Sequence, residues 1–350
     1  MRRLVSLAIV ACSALVALSP SPAQAQGRLV IAGWGGPFEA NFRKDLFREF
    51  EQKHNVKIDY VSASSFLNYG RIKSQAANPQ VDVILLDDLV QDQARRDGLL
   101  APVDPKIVTN LPDLKKPGRL PDDVGVGFGF TPIGLVYNEK ALKAANIPPP
   151  TSWLDLYRPE LKGRIVMRQI TSSYGLYPML ILGRISGGDE TNIAPAMQKM
   201  RELSPSVIEF VTSGGKESQL LLQEEAWVGG TGPAEAIALI QRGAPMKYVI
   251  PKEGTINTIM TASVIKGAPN ARLAQEFLNA IISPRGQEQS VIATSFAPLN
   301  SKVKMSPEAL AALPYNPDEA MKSYDLDFVA VSRDRAAWTE QFNKEVSGKR

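Results

Sequence analysis

Two extended runs, far apart in the chain and each broken by residues at which a backbone can turn, constrain this sequence more than any other feature. The first is 124–138, VGVGFGFTPIGLVYN; the second is 251–265, PKEGTINTIMTASVI. Both are rich in β-branched and aromatic residues, which favour strands, and both carry Gly or Thr where the chain could pass between two bodies. Gly125, Gly127 and Gly129 give more backbone freedom than a core strand needs, and glycine inside a strand marks a bend or a close approach. The apolar run Ile133–Tyr137 then suits a strand that leaves one sheet and enters another. The two runs read as crossings between two lobes; the alternative is a kinked strand within one large sheet.

The length of 350 residues agrees with two lobes, because one ordinary core stops growing below that size. The first 25 residues are different in kind. Arg2 and Arg3 precede an apolar run from Leu4 to Leu18, a Pro/Ser break and Ala23-Gln24-Ala25, the pattern of a secretory signal peptide cleaved after Ala25. Ile9-Val10-Ala11-Cys12 faintly resembles a lipoprotein cleavage box, but Val10 is large for one. Cys12 is the chain's single cysteine, so the exported chain would have no disulfide, thiolate metal site or Cys nucleophile. Losing Arg2 and Arg3 lowers the formal charge from +4 to +2 with no basic cluster, which argues against nucleic acid. No later apolar run reaches the roughly 20 residues of a membrane helix.

From Arg28 the pattern alternates. Strands are expected at Arg28–Ala32, Val56–Val61 and Val81–Leu86, with one helix from Pro37 carrying Phe38, Phe42, Leu46 and Phe50, and others from about Phe66 and ending before Gly98. Past the first crossing, strands at Arg164–Met167, Val207–Val211, Ala226–Val228 and Met246–Ile250 alternate with further helices. A tail with helix signals at 306–312 and 335–345 is expected on the second lobe. Lobe 1 is thus 27–132 plus 258–298, and lobe 2 is 133–257 plus 299–350. Alternation of this kind gives α/β lobes that bind ligands at the carboxyl ends of their strands, which singles out loops 33–36, 62–65 and 87–88.

Three stretches, Thr151-Ser152-Trp153-x-Asp155-Leu156-x-x-Pro159-x-x-Lys162-Gly163, Pro251-Lys252-Glu253-Gly254 and Leu278-Asn279-(x4)-Pro284-x-Gly286-Gln287, resemble signatures of bacterial solute-binding proteins of ABC importers. The spermidine/putrescine-binding branch is the most similar. The resemblance implies a two-lobed periplasmic-binding-protein fold of type II with two crossover strands as its hinge. It further implies a periplasmic monomer without cofactor or metal, closing on a small-molecule solute and delivering it to an inner-membrane permease. Polyamine binders carry a Trp and an Asp in the stretch that here reads Thr255–Thr261, and an acid where this chain has Ser173. The resemblance therefore favours a short amine or amino-carboxylate over a long polyamine, with thiamine or an organophosphonate as alternatives.

Asp87 and Asp88 are the acids left at a strand's carboxyl end. Asp88 with Gln91 has the spacing of a helix-capping pair, which leaves Asp87 as the pocket acid. Thr171, Ser172 and Ser173 open an apolar helix, Thr231 precedes another that carries Glu235 in its first turn, and Gly35 and Gly36 precede a third. Such N-termini suit a carboxylate or phosphate. Trp34, Phe130 and Tyr174 are candidate cleft aromatics, and Ser64, Ser65, Thr131 and Thr258 complete the expected lining.

An exported enzyme is the reading from another class. The single histidine, His54, lies away from every candidate loop, and without a second His or an exported Cys no triad or His-based zinc site can form. Thr212–Glu217 imitates a phosphate loop but has Phe210 where a glycine is required and Glu217 where Ser or Thr is.

Overall fold

The computed structural model describes residues 27–321 and 323–348; the expected signal segment lies outside them. Chain order in the first lobe is β1 (Gly27–Gly33), α1 (Pro37–Lys44), α2 (Leu46–His54), β2 (Val56–Ser62), α3 (Ser65–Ser74), β3 (Val83–Asp87), α4 (Asp88–Arg96) and β4 (Val126–Pro132). The single helix expected from Pro37 is instead two, because Asp45 leaves helical geometry at φ −127°, ψ −73°. Phe42, Leu46, Phe47 and Phe50 still reach one core.

The second lobe opens with β5 (Gly134–Asn138), α5 (Glu139–Ala144), β6 (Ile165–Arg168), α6 (Ser173–Ile185), α7 (Ala194–Leu203) and β7 (Val207–Val211). It continues through α8 (Gly214–Leu222), β8 (Val228–Thr231), α9 (Pro233–Gln241) and β9 (Met246–Val249). The return strand β10 (Asn257–Val264) leads to α10 (Ala271–Ile281), α11 (Pro284–Thr294), α12 (Pro307–Ala311), α13 (Pro317–Ala320) and α14 (Phe328–Phe342).

Two five-stranded sheets result, in the orders β2-β1-β3-β10-β4 and β7-β6-β8-β5-β9. In the first, β1 runs parallel to β2 and β3, while β10 is antiparallel to both β3 and β4. In the second, β6 is parallel to β7 and β8, and β5 is antiparallel to β8 and β9. Each lobe is thus a parallel sheet completed by antiparallel strands, the crossing strands among them. Phe130 lies in the first core and Ile133 in the second; Ile256 lies in the second and Ile259 in the first. Gly125 enters β4 at φ +93°, a conformation that side-chain-bearing residues rarely adopt, and a Cβ there would come within 2.2 Å of Ser263 Oγ.

The tail does not stay on the second lobe. Leu299, Ala309, Leu313 and Ala320 are buried in the first core, so residues 299–321 pack there, and from Tyr324 onward the chain packs on the second. Of these short helices α12 meets α11, which the sequence pattern of the tail alone does not disclose. The chain therefore crosses between lobes a third time, between Ala320 and Tyr324.

Two of the signature stretches are physically one device. Ser152 and Asp155 form a reciprocal cap on the 3-10 turn Trp153–Tyr157. The Trp153 amide donates to Glu253 Oε2 at 3.1 Å, and its indole Nε1 donates to the Gly254 carbonyl at 3.0 Å. The start of the return crossing is thereby fastened to lobe 2. Trp153 is fully buried. We predict that Trp153→Ala lowers the unfolding free energy by about 3–5 kcal/mol in urea titrations; a loss under about 1 kcal/mol would contradict this role.

Candidate functional site

On lobe 1 the site is built from three loops at strand carboxyl ends. Trp34, after β1, donates from Nε1 to Ser65 Oγ at 3.0 Å, and the Asp87 amide donates to the same oxygen at 3.3 Å. The Ser65 hydroxyl in turn bonds the Asp87 carboxylate. Trp34, Ser65 and Asp87 are thus linked in one polar chain. Ser64 caps α3 through the Leu67 amide at 3.4 Å and is exposed. Gly35 packs against Ser62, and Gly36 opens α1 at φ +67° with open space where a side chain would be.

The helix cap expected of Asp88 belongs to Asp87. Asp87 is the N-cap of α4, accepting from the Val90 amide at 3.4 Å. Asp88 is buried between the lobes. Its Oδ1 accepts from the Tyr177 hydroxyl on α6 and the Leu89 amide, both at 2.9 Å, and its Oδ2 from the Ile259 amide on β10 at 2.9 Å. Gln91 is no capping partner; it donates to the Val124 carbonyl. Burial raises the Asp88 carboxyl to about 7, and neighbouring Asp87 adds to the shift against the three hydrogen bonds.

Lobe 2 contributes a charged cluster. Arg168, the last residue of β6, donates from Nε to Glu217 Oε2 at 2.6 Å and from Nη2 to Glu235 Oε1 at 3.4 Å, and its guanidinium lies 5.4 Å from the Tyr174 ring centroid. The Thr231 hydroxyl donates to Glu217 at 3.3 Å. Burial pushes Glu217 up to about 7 against the pull of Arg168. Glu235 keeps 26% of its side chain open to solvent, yet the surrounding protein raises its carboxyl above the ordinary range, as expected for a group deep in a cleft. Its Oε2 has no hydrogen-bond partner among the described residues.

The lobes meet over Tyr174. Its hydroxyl is raised well above the usual phenol range by burial, then by Glu235, with Asp87 of the opposite lobe adding to the effect. Gly232 is required beside it, since a Cβ would come within 2.7 Å of the ring. Three helices at this junction, α1, α6 and α9, have no side-chain cap from Gly36, Ser172 or Gly232. The Ser172 hydroxyl is buried without a partner, and Ser173 is buried beside it. Thr171 is exposed and offers its carbonyl to Arg335.

Three expected lining residues are elsewhere. Phe130 turns with Ile259 into a separate pocket, because strand alternation sends its ring away from Thr131. Thr131 and Thr258 face one another across β4 and β10, fully buried, with both hydroxyls lacking partners. They belong to the crossings and do not line an open surface.

Several residues escaped the sequence pattern. Arg168 was hidden because β6 runs one residue beyond its expected end. Glu217 sits in the rejected phosphate-loop imitation, where its place in the first turn of α8 was the available signal. Arg335 on α14 bonds the Thr171 carbonyl, and its charge reaches Asp87; nothing local marks it. Tyr248 and Tyr315, with ring centroids 6.4 Å apart, flank the junction, and Tyr248 feels both Tyr174 and Glu235.

The profile of the bacterial extracellular solute-binding protein family matches residues 45–317. The chain belongs to this family. As a family member it is a bacterial extracellular solute-binding protein. It is 27% identical to iron uptake protein A1 of Synechocystis over 71% of this chain and 69% of that protein. It is 25% identical to the spermidine/putrescine-binding periplasmic protein of Escherichia coli over 68% of this chain and 69% of that one. Its fold matches the periplasmic binding protein AfuA of Actinobacillus pleuropneumoniae, solved with fructose-6-phosphate, at TM-score 0.74 and 25% identity, covering 92% of this chain and 99% of that one. Among the described residues no helix is long and apolar enough to cross a membrane.

Because Asp88 has a folded-state pKa raised to about 7, its protonated form is the one the fold favours. The stability it contributes is complete below the unfolded carboxyl range near 4 and is lost as pH rises through about 7. We predict that unfolding free energy falls between about pH 4 and 7, and that Asp88→Asn makes this fall shallower when measured by denaturant titration at each pH. An unchanged slope in the variant would contradict this.

Proposed function

We propose that the protein captures a small zwitterionic solute, a short chain with an amine at one end and a carboxylate or phosphonate at the other, between its lobes. The observation that carries this is the pair Asp87 and Glu235. Both acids raise the Tyr174 hydroxyl, one from each lobe, and among the described residues Glu235 has an unpartnered oxygen. An ammonium between them would satisfy that oxygen, and the Tyr174 ring adds cation–π attraction of about 0.5–2 kcal/mol. The anionic end has the uncapped starts of α1, α6 and α9, whose amides and dipoles favour negative charge.

A long polyamine fits less well, since Thr255–Thr261 supplies neither an acid nor an aromatic to a second ammonium. In the proposed cycle a periplasmic monomer closes on the solute, and the closed form presents it to an inner-membrane permease.

The reading is tested by a thermal-shift panel of aminobutyrate-like acids, aminoalkylphosphonates, putrescine, spermidine, thiamine, sugars and metal ions. A micromolar ligand, worth about 8 kcal/mol of binding, should raise the melting temperature, and the zwitterions should do so most. For the ligand so found, we predict that Asp87→Asn and Glu235→Gln each weaken binding more than tenfold by calorimetry. Shifts from sugars or metals alone, or affinities unchanged in both variants, would overturn the zwitterion assignment.

A further inference from the structure

A second pocket, of about 290 Å³, lies beside the crossings and is separate from the Tyr174 junction. Its walls are apolar: Leu120 and Phe130 from lobe 1, Ile259 from the return strand, and Leu326 and Phe328 from the tail. Its polar lining joins acceptors to two exposed cations, Lys116, ion-paired with Asp325 at 3.6 Å, and Arg119, which donates to the Leu114 and Pro112 carbonyls. Asp88 presents a carboxyl whose oxygens accept three hydrogen bonds, and a carboxylate has room for about four. Asn257, which also lines the pocket, donates from Nδ2 to the Ala320 carbonyl at 2.8 Å, while its buried Oδ1 has no partner among the described residues. Turning the amide over would set two carbonyl oxygens against each other, so the Ala320 bond fixes which atom is left. A buried acceptor without a donor costs about 1–3 kcal/mol, and a ligand that donates to it recovers that cost.

We propose that this pocket is a second ligand site, for a small apolar molecule carrying an N–H donor such as a primary ammonium. The volume sits at the low end of known ligand pockets, about 300–1,000 Å³, which restricts the occupant to roughly one ring with a short arm. The unfilled Asn257 acceptor and the apolar walls select a hydrogen-bond donor joined to a hydrocarbon body. An occupant would touch lobe 1, the return strand and the tail together, and so tie the third crossing to the first two.

The experiment uses the exported chain with benzylamine as probe, read by calorimetry and by hydrogen exchange of the tail. The expected result is saturable binding that protects residues 323–328. Ethylbenzene, the same shape without N–H groups, binds at least tenfold more weakly. Asn257→Leu weakens benzylamine at least tenfold, Leu326→Trp fills the pocket and abolishes binding, and the cleft variant Glu235→Gln changes affinity less than twofold. Absence of binding, binding that survives Leu326→Trp, equal affinity for ethylbenzene, or a large loss in Glu235→Gln would each overturn the proposal.

Discussion

One carboxyl group holds the geometry of the molecule together. Asp88 begins a helix of the first lobe, receives a hydroxyl from the second and an amide from the strand that returns between them. A buried carboxyl is costly unless its oxygens are bonded, and here the three bonds come from three separate parts of the fold. Next to it, Leu89 is carried into the second lobe's core. The relative position of the lobes at the crossings is thus set by the first turn of α4, and Asp87, the acid proposed to face the solute, is placed by that same turn.

From this junction the site follows with little further freedom. Parallel strands bring their carboxyl ends to facing edges, so helix starts converge there from both lobes. What distinguishes this chain is how that common geometry is filled. Arg168 is committed to Glu217 and shared with Glu235, which leaves the cluster rich in carboxylate. Opposite it, Asp87 is held by Ser65 and Trp34. The arrangement is suited to a cation at its centre with dipole-based anion sites around it.

The strands, the crossings and most helix starts were legible because they depend on local pattern: alternation, glycine breaks and capping residues. Trp34, Ser65, Asp87, Tyr174 and Glu235 were legible for the same reason, as residues at strand ends. What was not legible depends on boundaries or on distant partners. Arg168 needed the end of β6 to within one residue. The burial of Asp88 depends on Tyr177 and Ile259, remote in sequence, so a capping rule applied to the local string named Asp88 as the cap where the structure has Asp87. The tail's division between lobes likewise depends on the meeting of α12 with α11, distant from any pattern in the tail itself.

The extra passage of the chain between Ala320 and Tyr324 has a mechanical consequence. Two neighbouring strands alone resist twisting weakly, as a door on closely spaced pins can sag. A further tether set apart from them, secured by Tyr324 through the Thr255 and Glu253 carbonyls, suppresses swivel and sideways slip while leaving one axis of rotation. Under the proposed closure the opposed acids would meet in the same alignment each time, so discrimination among solutes would rest on that repeatability as well as on the groups that touch them.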